Sequence, residues 1–333
     1  MIWYKEKNDN DIMVSTRIRL ARNLEKYPFP SVLNEEGRKK ATEEIINSIL
    51  SSNSTLSKEF DVLKMSELSK NERQKLAEKH LISLDMANKS SGTVLVSRDE
   101  TMSIMLMEED HIRLQIIFGG FKLKEAYELA NKVDDVIEEM CDYAFSEEFG
   151  YLTACPTNTG TGMRASVMMH LPALTITENI NKIISSASAL GLTVRGLYGE
   201  GSKAYGCLYQ VSNQITLGMS EEEIIAKLLN VASQIEKHEQ EARENIAGNE
   251  AILDKLSRSY GALKYARIVS SLEAKTLLSN VILGKNLGII DTEEKIPLLQ
   301  LVVETEPALL MENEEISPEE RDKKRAKILR ENL

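Results

Sequence analysis

Residues 12–20, IMVSTRIRL, alternate in character along the chain. Ile12, Val14, Ile18 and Leu20 fall on one side of an extended backbone, and Ser15, Arg17 and Arg19 on the other. A period of two predicts a strand that buries one face and presents two guanidinium groups on the other. Working outward, EEGRKKATEEIINSIL (35–50) reads as an amphipathic helix, and TMSIMLMEEDHIRLQIIF (101–118) as two apolar strands joined by an acidic connection. LKEAYELANKVDDVIEEMCDYAF (123–145) and TITENINKIISSASALG (175–191) read as helices, the second stopped by Gly191. Strand-like segments follow at 192–201 and 205–217. From Ser220 the pattern turns helical, with a capping box from Ser220 to Glu223 and later helices at 270–285 and 317–330. The expected fold is α+β: an antiparallel sheet flanked by helices over residues 1–245, then a helical domain over 246–333.

The chain has 333 residues, enough for two domains, and a net charge of −11. That charge argues against broad binding of nucleic acid or anionic membrane, so any bound anion needs a local positive cluster. The start, MIWYKEKNDND, lacks the apolar core of a signal peptide, and no apolar run nears a membrane span. Cys141, Cys155 and Cys207 are too few and too scattered for a disulfide framework or structural zinc. A reduced, cytoplasmic protein is expected.

Arginines recur at the ends or faces of the expected strands: Arg17, Arg19, Arg113, Arg164 and Arg195. Any one reads as a surface or salt-bridged residue. Together, in an acidic protein, they suggest a clamp for a polyphosphate, because the guanidinium fork binds two oxygens and keeps its charge when desolvated. The run MEEDHIR (107–113) is by itself a charged turn, but a second carboxylate, Glu200, lies between glycines in RGLYGEG (195–201). Two carboxylates near arginines suit a cationic substrate meeting a triphosphate. The loop YLTACPTNTGTGMR (151–164) would let backbone approach a ligand, and it is not a Walker loop, since no lysine follows its glycines. His111 and His170 read as structural and His238 as solvated.

STRIRLARN, EEDHIR, CPTNTGTGMRASV and RGLYGE, in this order, resemble the phosphagen kinases, which transfer phosphate from ATP to guanidino groups; the similarity spans about residues 12–242. The resemblance implies an ATP site lined by Ser15, Thr16, Arg17, Ile18 and Arg19, by His80 and Arg113, by Arg164, Ala165, Ser166, Val167 and Met168, and by Arg195, Gly196, Leu197, Tyr198, Gly199 and Glu200. It implies Glu109 as the catalytic carboxylate, Glu200 as the second carboxylate holding the guanidinium, and Cys155 beside it, with the loop's glycines and Arg164 facing the nucleotide. Mg²⁺ would come with ATP, held through the phosphates rather than by a dedicated metal site. One departure is Met107, where the small-substrate relatives usually carry asparagine.

Kinases for free arginine or creatine carry a further helical domain ahead of the catalytic part, which is expected to be absent here. The helical extension after residue 245 instead resembles the bacterial protein-arginine kinases of the Clp stress-response system. Its RDKKRA (321–326) matches their motif and implies a phosphoarginine site of Arg321, Asp322, Arg325 and Ala326 that serves allosteric sensing. The resemblance further implies protein substrates with accessible arginines, an activating adaptor protein, a Clp ATPase, a stress-gene repressor as substrate, and a homodimer. Two other readings stand beside it: a kinase for a free guanidino compound, and a silent adaptor that only binds phosphoarginine.

Overall fold

A computed structural model describes all residues except 1, 7, 9, 53, 54, 197–203, 293 and 312–315. The strands are β1 (Met13–Arg22), β2 (Phe60–Lys64), β3 (Thr93–Ser97), β4 (Met102–Leu106), β5 (Ile112–Gly119), β6 (Phe145–Ser146), β7 (Gly150–Tyr151), β8 (Met163–His170), β9 (Leu192–Gly196) and β10 (Leu208–Asn213). The helices are α1 (Glu35–Leu50), α2 (Lys70–Glu78), α3 (Leu84–Asn88), α4 (Leu123–Glu138), α5 (Pro172–Ile176), α6 (Ile180–Ala189) and α7 (Glu221–Ile246), then α8 (Glu250–Tyr265), α9 (Ser271–Asn286), α10 (Leu298–Glu304), α11 (Pro307–Leu310) and α12 (Pro318–Asn332). Strand order in the main sheet is β2-β3-β4-β5-β1-β8-β10-β9, and the pairs β2–β3, β3–β4 and β4–β5 are antiparallel. The fold is α+β, a helix-flanked antiparallel sheet followed by helices. Among the described residues no helix is long and apolar enough to cross a membrane.

The chain divides into two compact units. One comprises Met1–Trp3, Thr16–Ser166 and Ser212–Leu229; the other comprises Tyr4–Ser15, Val167–Val211 and Asn230–Leu333. In the first, Met65, Leu81, Met86, Val94, Val96 and Met105 join one apolar cluster beneath α2 and α3. In the second, α8 packs along α9, with Leu256, Leu263, Leu278 and Val281 buried.

Local chemistry sets most element boundaries. Helix α1 begins where Asn34 caps the Gly37 N–H, and its bounds coincide with the amphipathic stretch. Reciprocal capping boxes open α2 (Ser69/Glu72), α9 (Ser270/Glu273) and α12 (Ser317/Glu320). The segment 175–191 is not one helix. Pro172 starts α5 earlier, Glu178 sits at φ +59°, and α6 begins only at Ile180. The Thr177 hydroxyl donates back to the Ala173 carbonyl, a local bond that competes with helix continuation. Likewise α4 stops at Glu138, short of Phe145. Tyr143 bridges Leu24, and the Ala144 N–H donates to the Asn23 carbonyl, so backbone pairing with the chain after β1 displaces the helix.

Candidate active site

Strand β1 is buried on both faces apart from Arg17 and Arg19, which are half-buried. A central strand with two covered sides explains why Ser15 is buried rather than presented to solvent. The Thr16 hydroxyl is committed within the fold: it donates to the Gly120 carbonyl at 2.8 Å and accepts from the Lys122 N–H at 3.0 Å. Arg17 and Arg19 meet Arg113 from β5 and Arg164 from β8, and the four charges oppose one another. Burial, then Arg113 and Arg164, lower Arg17 to a pKa of about 10. Burial, then Arg17, Arg113 and Arg164, push Arg19 well below the ordinary arginine range. Arg19 Nε is buried and has no hydrogen-bond partner among the described residues. Guanidinium groups that raise one another's energy, one with an orphaned donor, fit a polyanion such as a nucleotide triphosphate.

The acidic turn between β4 and β5 presents two adjacent carboxylates in opposite environments. Glu108 is nearly buried, with Oε2 at 2.6 Å from Arg113 Nη1 and Oε1 accepting from the Ser83 hydroxyl. Burial works to raise its pKa, but Arg113 and Ser83 outweigh it and hold the group ionised. Glu109 is exposed. Partial desolvation, then the Asp110 charge, raises its pKa against the pull of Arg113 and Arg164. One carboxylate is thereby spent as a counter-ion, and its neighbour, without an ion pair among the described residues, stands at elevated basicity beside the arginine cluster. Environments that separate two carboxylates in this way mark the one suited to proton transfer.

Met107 opens this turn at φ +60°, where its N–H donates to the His111 carbonyl. The left-handed region favours asparagine over most non-glycine residues, so methionine at this φ is an unfavoured residue for the turn.

The loop after β7 is closed at its neck by Tyr151 and Gly160, which exchange backbone hydrogen bonds. Within it, the Thr153 hydroxyl donates to the Cys155 carbonyl at 2.7 Å, and Cys155 Sγ lies 3.0 Å from the Thr157 hydroxyl. The glycines answer to close packing within the protein. A Cβ on Gly160 (φ +114°) would come within 2.3 Å of the Thr216 carbonyl oxygen, and one on Gly162 (φ +63°) within 2.6 Å of the Ala21 carbonyl oxygen. The space that a side chain would take is filled by backbone at Gly160, and by the Ala21 carbonyl and the Arg22 guanidinium at Gly162.

His80 stands just past the end of α2 at φ +64°, with Trp3 stacked on its ring at 5.2 Å. Ile18, Ala165, Ser166, Val167 and Met168 are buried. Arg195, exposed at the end of β9, and Gly196 lie in the second unit, and Leu197, Tyr198, Gly199 and Glu200 lie outside the described residues. The first unit thus brings together Arg17, Arg19, Arg113, Arg164 and Glu109. Sequence reasoning passed over Arg22, Asn23 and Asp110, although the first two end the quoted STRIRLARN stretch and Asp110 sits inside EEDHIR. Asn23 Nδ2 donates to Asp110 Oδ1 at 2.6 Å and to the Leu152 carbonyl at 3.0 Å, and its Oδ1 accepts from the His111 N–H at 2.9 Å.

In the second unit, Arg325 is 1% exposed and donates to the carbonyls of Thr305 and Val269 and to Asp322 Oδ1. Ala326 is fully buried. Arg321, half-buried, donates to the Ile316 carbonyl at 3.0 Å.

Residues 41–242 match the ATP:guanido phosphotransferase C-terminal catalytic domain, and residues 249–333 match the protein-arginine kinase McsB C-terminal domain. The chain is 49% identical to a protein-arginine kinase of Bacillus mycoides over 336 residues, covering 99% of this chain and 95% of that relative. It is 48% identical to one of Caldanaerobacter subterraneus over 326 residues, covering 96% of each. Among solved structures, a lombricine kinase aligns with a TM-score of 0.62 at 24% identity, over 71% of this chain and 68% of that one. The duplicated taurocyamine kinase of Schistosoma mansoni aligns at 0.63 and 22%, over 81% and 40%. These two likenesses bear on the fold. With the catalytic-domain match spanning most of the chain and the relatives matched almost end to end, the chain belongs to the ATP:guanido phosphotransferases, the phosphagen kinase family, in its protein-arginine kinase branch.

Proposed function

We propose that this protein transfers the γ-phosphoryl group of ATP to arginine side chains of other proteins. The observation that carries this reading is Glu109: an exposed carboxylate of raised basicity set against four convergent arginines. A guanidinium is protonated at neutral pH, with a pKa above about 12, and so is a poor nucleophile. Glu109 fixes the guanidinium and accepts its proton as the N–P bond forms. Arg17, Arg19, Arg113 and Arg164 hold the phosphates and offset charge on the group in transfer, while Glu108 keeps Arg113 in place. Mg²⁺ would come with the nucleotide and would offset phosphate charge during transfer. Glu200 is assigned the far edge of the guanidinium and Cys155 a place beside it, a thiol tuning charge rather than attacking; Arg195 completes the phosphate contacts.

Residues 1–245 form the catalytic domain in this reading and residues 246–333 a helical domain for dimerisation and phosphoarginine sensing. The relatives named protein-arginine kinase support a protein substrate over free arginine. Marking of clients for a Clp ATPase, an activating adaptor, a stress-gene repressor as substrate and a cytoplasmic site of action extend the same reading.

The test offers Mg-ATP with free L-arginine and with an unfolded arginine-containing protein in parallel, locating product by mass spectrometry under conditions that preserve the acid-labile N–P bond. Phosphoarginine in the protein alone is expected. Efficient transfer to free arginine would replace this reading with a small-metabolite kinase, and transfer to neither, with adaptor supplied, would favour a silent phosphoarginine-binding protein.

A further inference from the structure

Arg22, the last residue of β1, is 1% exposed and carries no part of the chemistry above. Its Nε donates to Asp134 Oδ2 at 2.9 Å, and Nη2 lies 2.8 Å from the same oxygen. Nη1 donates to the carbonyls of Thr161 at 3.0 Å and of Ala21 at 3.1 Å. The guanidinium carbon, Cζ, lies over the ring of Tyr151, 3.5 Å from its centroid. Asp134 is anchored in turn by the Tyr143 hydroxyl at 2.9 Å. One buried side chain therefore grips Tyr151 by its ring and Thr161 by its carbonyl, on either side of the loop that carries Cys155. Between those two points the neck is closed by the backbone pair of Tyr151 and Gly160.

We infer that Arg22 is a positioning residue for phosphoryl transfer: it sets the placement of the Cys155 loop, and through it the seat of the substrate guanidinium. The inference rests on reading that loop as the guanidino-binding one. A planar fork is required, because two donors are spent on Asp134, one nitrogen reaches the loop carbonyl, and the flat face stacks on Tyr151. A lysine supplies the charge but neither the planar stack nor donors on separate nitrogens that reach Asp134 and the loop together. Asp134 is placed to hold the fork from behind, since a buried guanidinium needs a fixed counter-ion.

The experiment compares Arg22→Lys and Tyr151→Leu with the unaltered enzyme. Tyr151→Leu leaves the Arg22–Asp134 pair whole, so it probes the loop even where Arg22→Lys folds poorly. Steady-state kinetics are read together with the rate at which iodoacetamide alkylates Cys155, followed by peptide mapping. Loosening the loop is expected to raise the alkylation rate about tenfold. It should lower kcat with the protein substrate by about 10- to 100-fold while the KM for ATP moves less than about twofold. A purely structural Arg22 would lower the melting temperature and leave kcat and Cys155 reactivity unchanged in the folded variants, overturning the proposal. Cys155→Ser and Thr153→Val separate the proposal from the reading beneath it. If both keep normal kinetics while Arg22→Lys does not, the loop is not the guanidino seat, and Arg22 acts elsewhere. If they impair turnover and the Arg22 and Tyr151 variants do not, the clamp alone is wrong.

Discussion

The carboxylate of Asp110 accepts a hydrogen bond from the backbone N–H of Ala154 at 2.7 Å. The residue after Glu109 thus holds the residue before Cys155, across a sequence separation of 44. Asn23 completes the link by donating to the same oxygen. Replacing Asp110 with Ala removes the oxygen on which both donors converge, so both bonds are lost. Because small displacements of reacting groups are costly, kcat is expected to fall about 10- to 100-fold, with nucleotide affinity little changed. Stopped-time phosphorylation assays, paired with nucleotide titration by calorimetry, would reveal it; equal losses in both would relocate Asp110 to the nucleotide site.

Glu109→Gln keeps the shape of the side chain and removes its basicity. Turnover is expected to drop by about 10²- to 10⁴-fold, the usual weight of a general base, while ATP still binds. The acidic limb of the kcat profile should vanish with it, since that limb reports protonation of a carboxyl whose pKa desolvation and Asp110 raise above the ordinary glutamate value. An unchanged limb in the residual activity would assign it to another group.

The arginine cluster predicts a trade of stability against function. Arg19 is held charged in a site that burial and three neighbouring guanidinium groups make unfavourable. Arg19→Gln should therefore melt at a higher temperature than the unaltered protein when no nucleotide is present. It should also lose most of the stabilisation that saturating nucleotide confers, about 2.7 kcal/mol at a hundred times Kd. Differential scanning calorimetry with and without ATP resolves both effects, and a lower nucleotide-free melting temperature would refute the first.

Much of the fold was legible because its signals are local. The span of α1, the caps of α7 and α12 and the two strands around EEDHIR follow from periodicity and side chains three residues apart. The error at 175–191 arose where a threonine back-bond and a left-handed Glu178 interrupt an otherwise helical pattern, features that periodicity does not register. The arginine cluster and Glu109 were legible as residue types. What set Glu109 apart from Glu108 was not, because it depends on Ser83 and Arg113 claiming one carboxylate and sparing the other. Arg22, Asn23 and Asp110 act on partners 44 to 139 positions away, and nothing near them in the chain announces it.

His111 predicts how the protein responds to mild acid. Its ring is fully buried, with Nδ1 accepting from the Leu24 N–H at 3.1 Å and Nε2 lying 3.1 Å from the Pro28 carbonyl, so the neutral form is held with its proton on Nε2. Burial lowers its pKa from 6.5 to about 4. Between those values the unfolded chain binds the proton and the folded chain does not. Stability from this residue is therefore complete above about pH 6.5 and lost as pH falls toward 4, by roughly 3 kcal/mol. Glu109, Asp110 and Glu221, whose pKa values are raised, work in the opposite sense over the lower part of that range. The effect is thus read as a difference: urea unfolding of His111→Gln should show a shallower loss from pH 6.5 to 4 than the unaltered protein. Parallel curves would mean that another group carries the acid response.

Arg321 and Arg325 share a helix and a motif, and the structure gives them different work. Arg325 is enclosed, with Thr305, Val269 and Asp322 taking its donors. Removing it leaves those carbonyls without their donor, and removing Asp322 leaves a buried guanidinium short of its counter-ion; changes of this kind cost about 3–5 kcal/mol. Arg325→Met and Asp322→Ala are both expected to lower the melting temperature by several degrees, so a lost response to phosphoarginine in either would not by itself locate a binding site. Arg321 is half-buried, and among the described residues its acceptors are one carbonyl and the Met311 sulfur. Arg321→Ala should keep the melting temperature within about 2 °C, a surface-like change. If the motif senses phosphoarginine, this variant should no longer gain thermal stability or turnover when free phosphoarginine is added. A response equal to that of the unaltered protein would remove Arg321 from the sensing site.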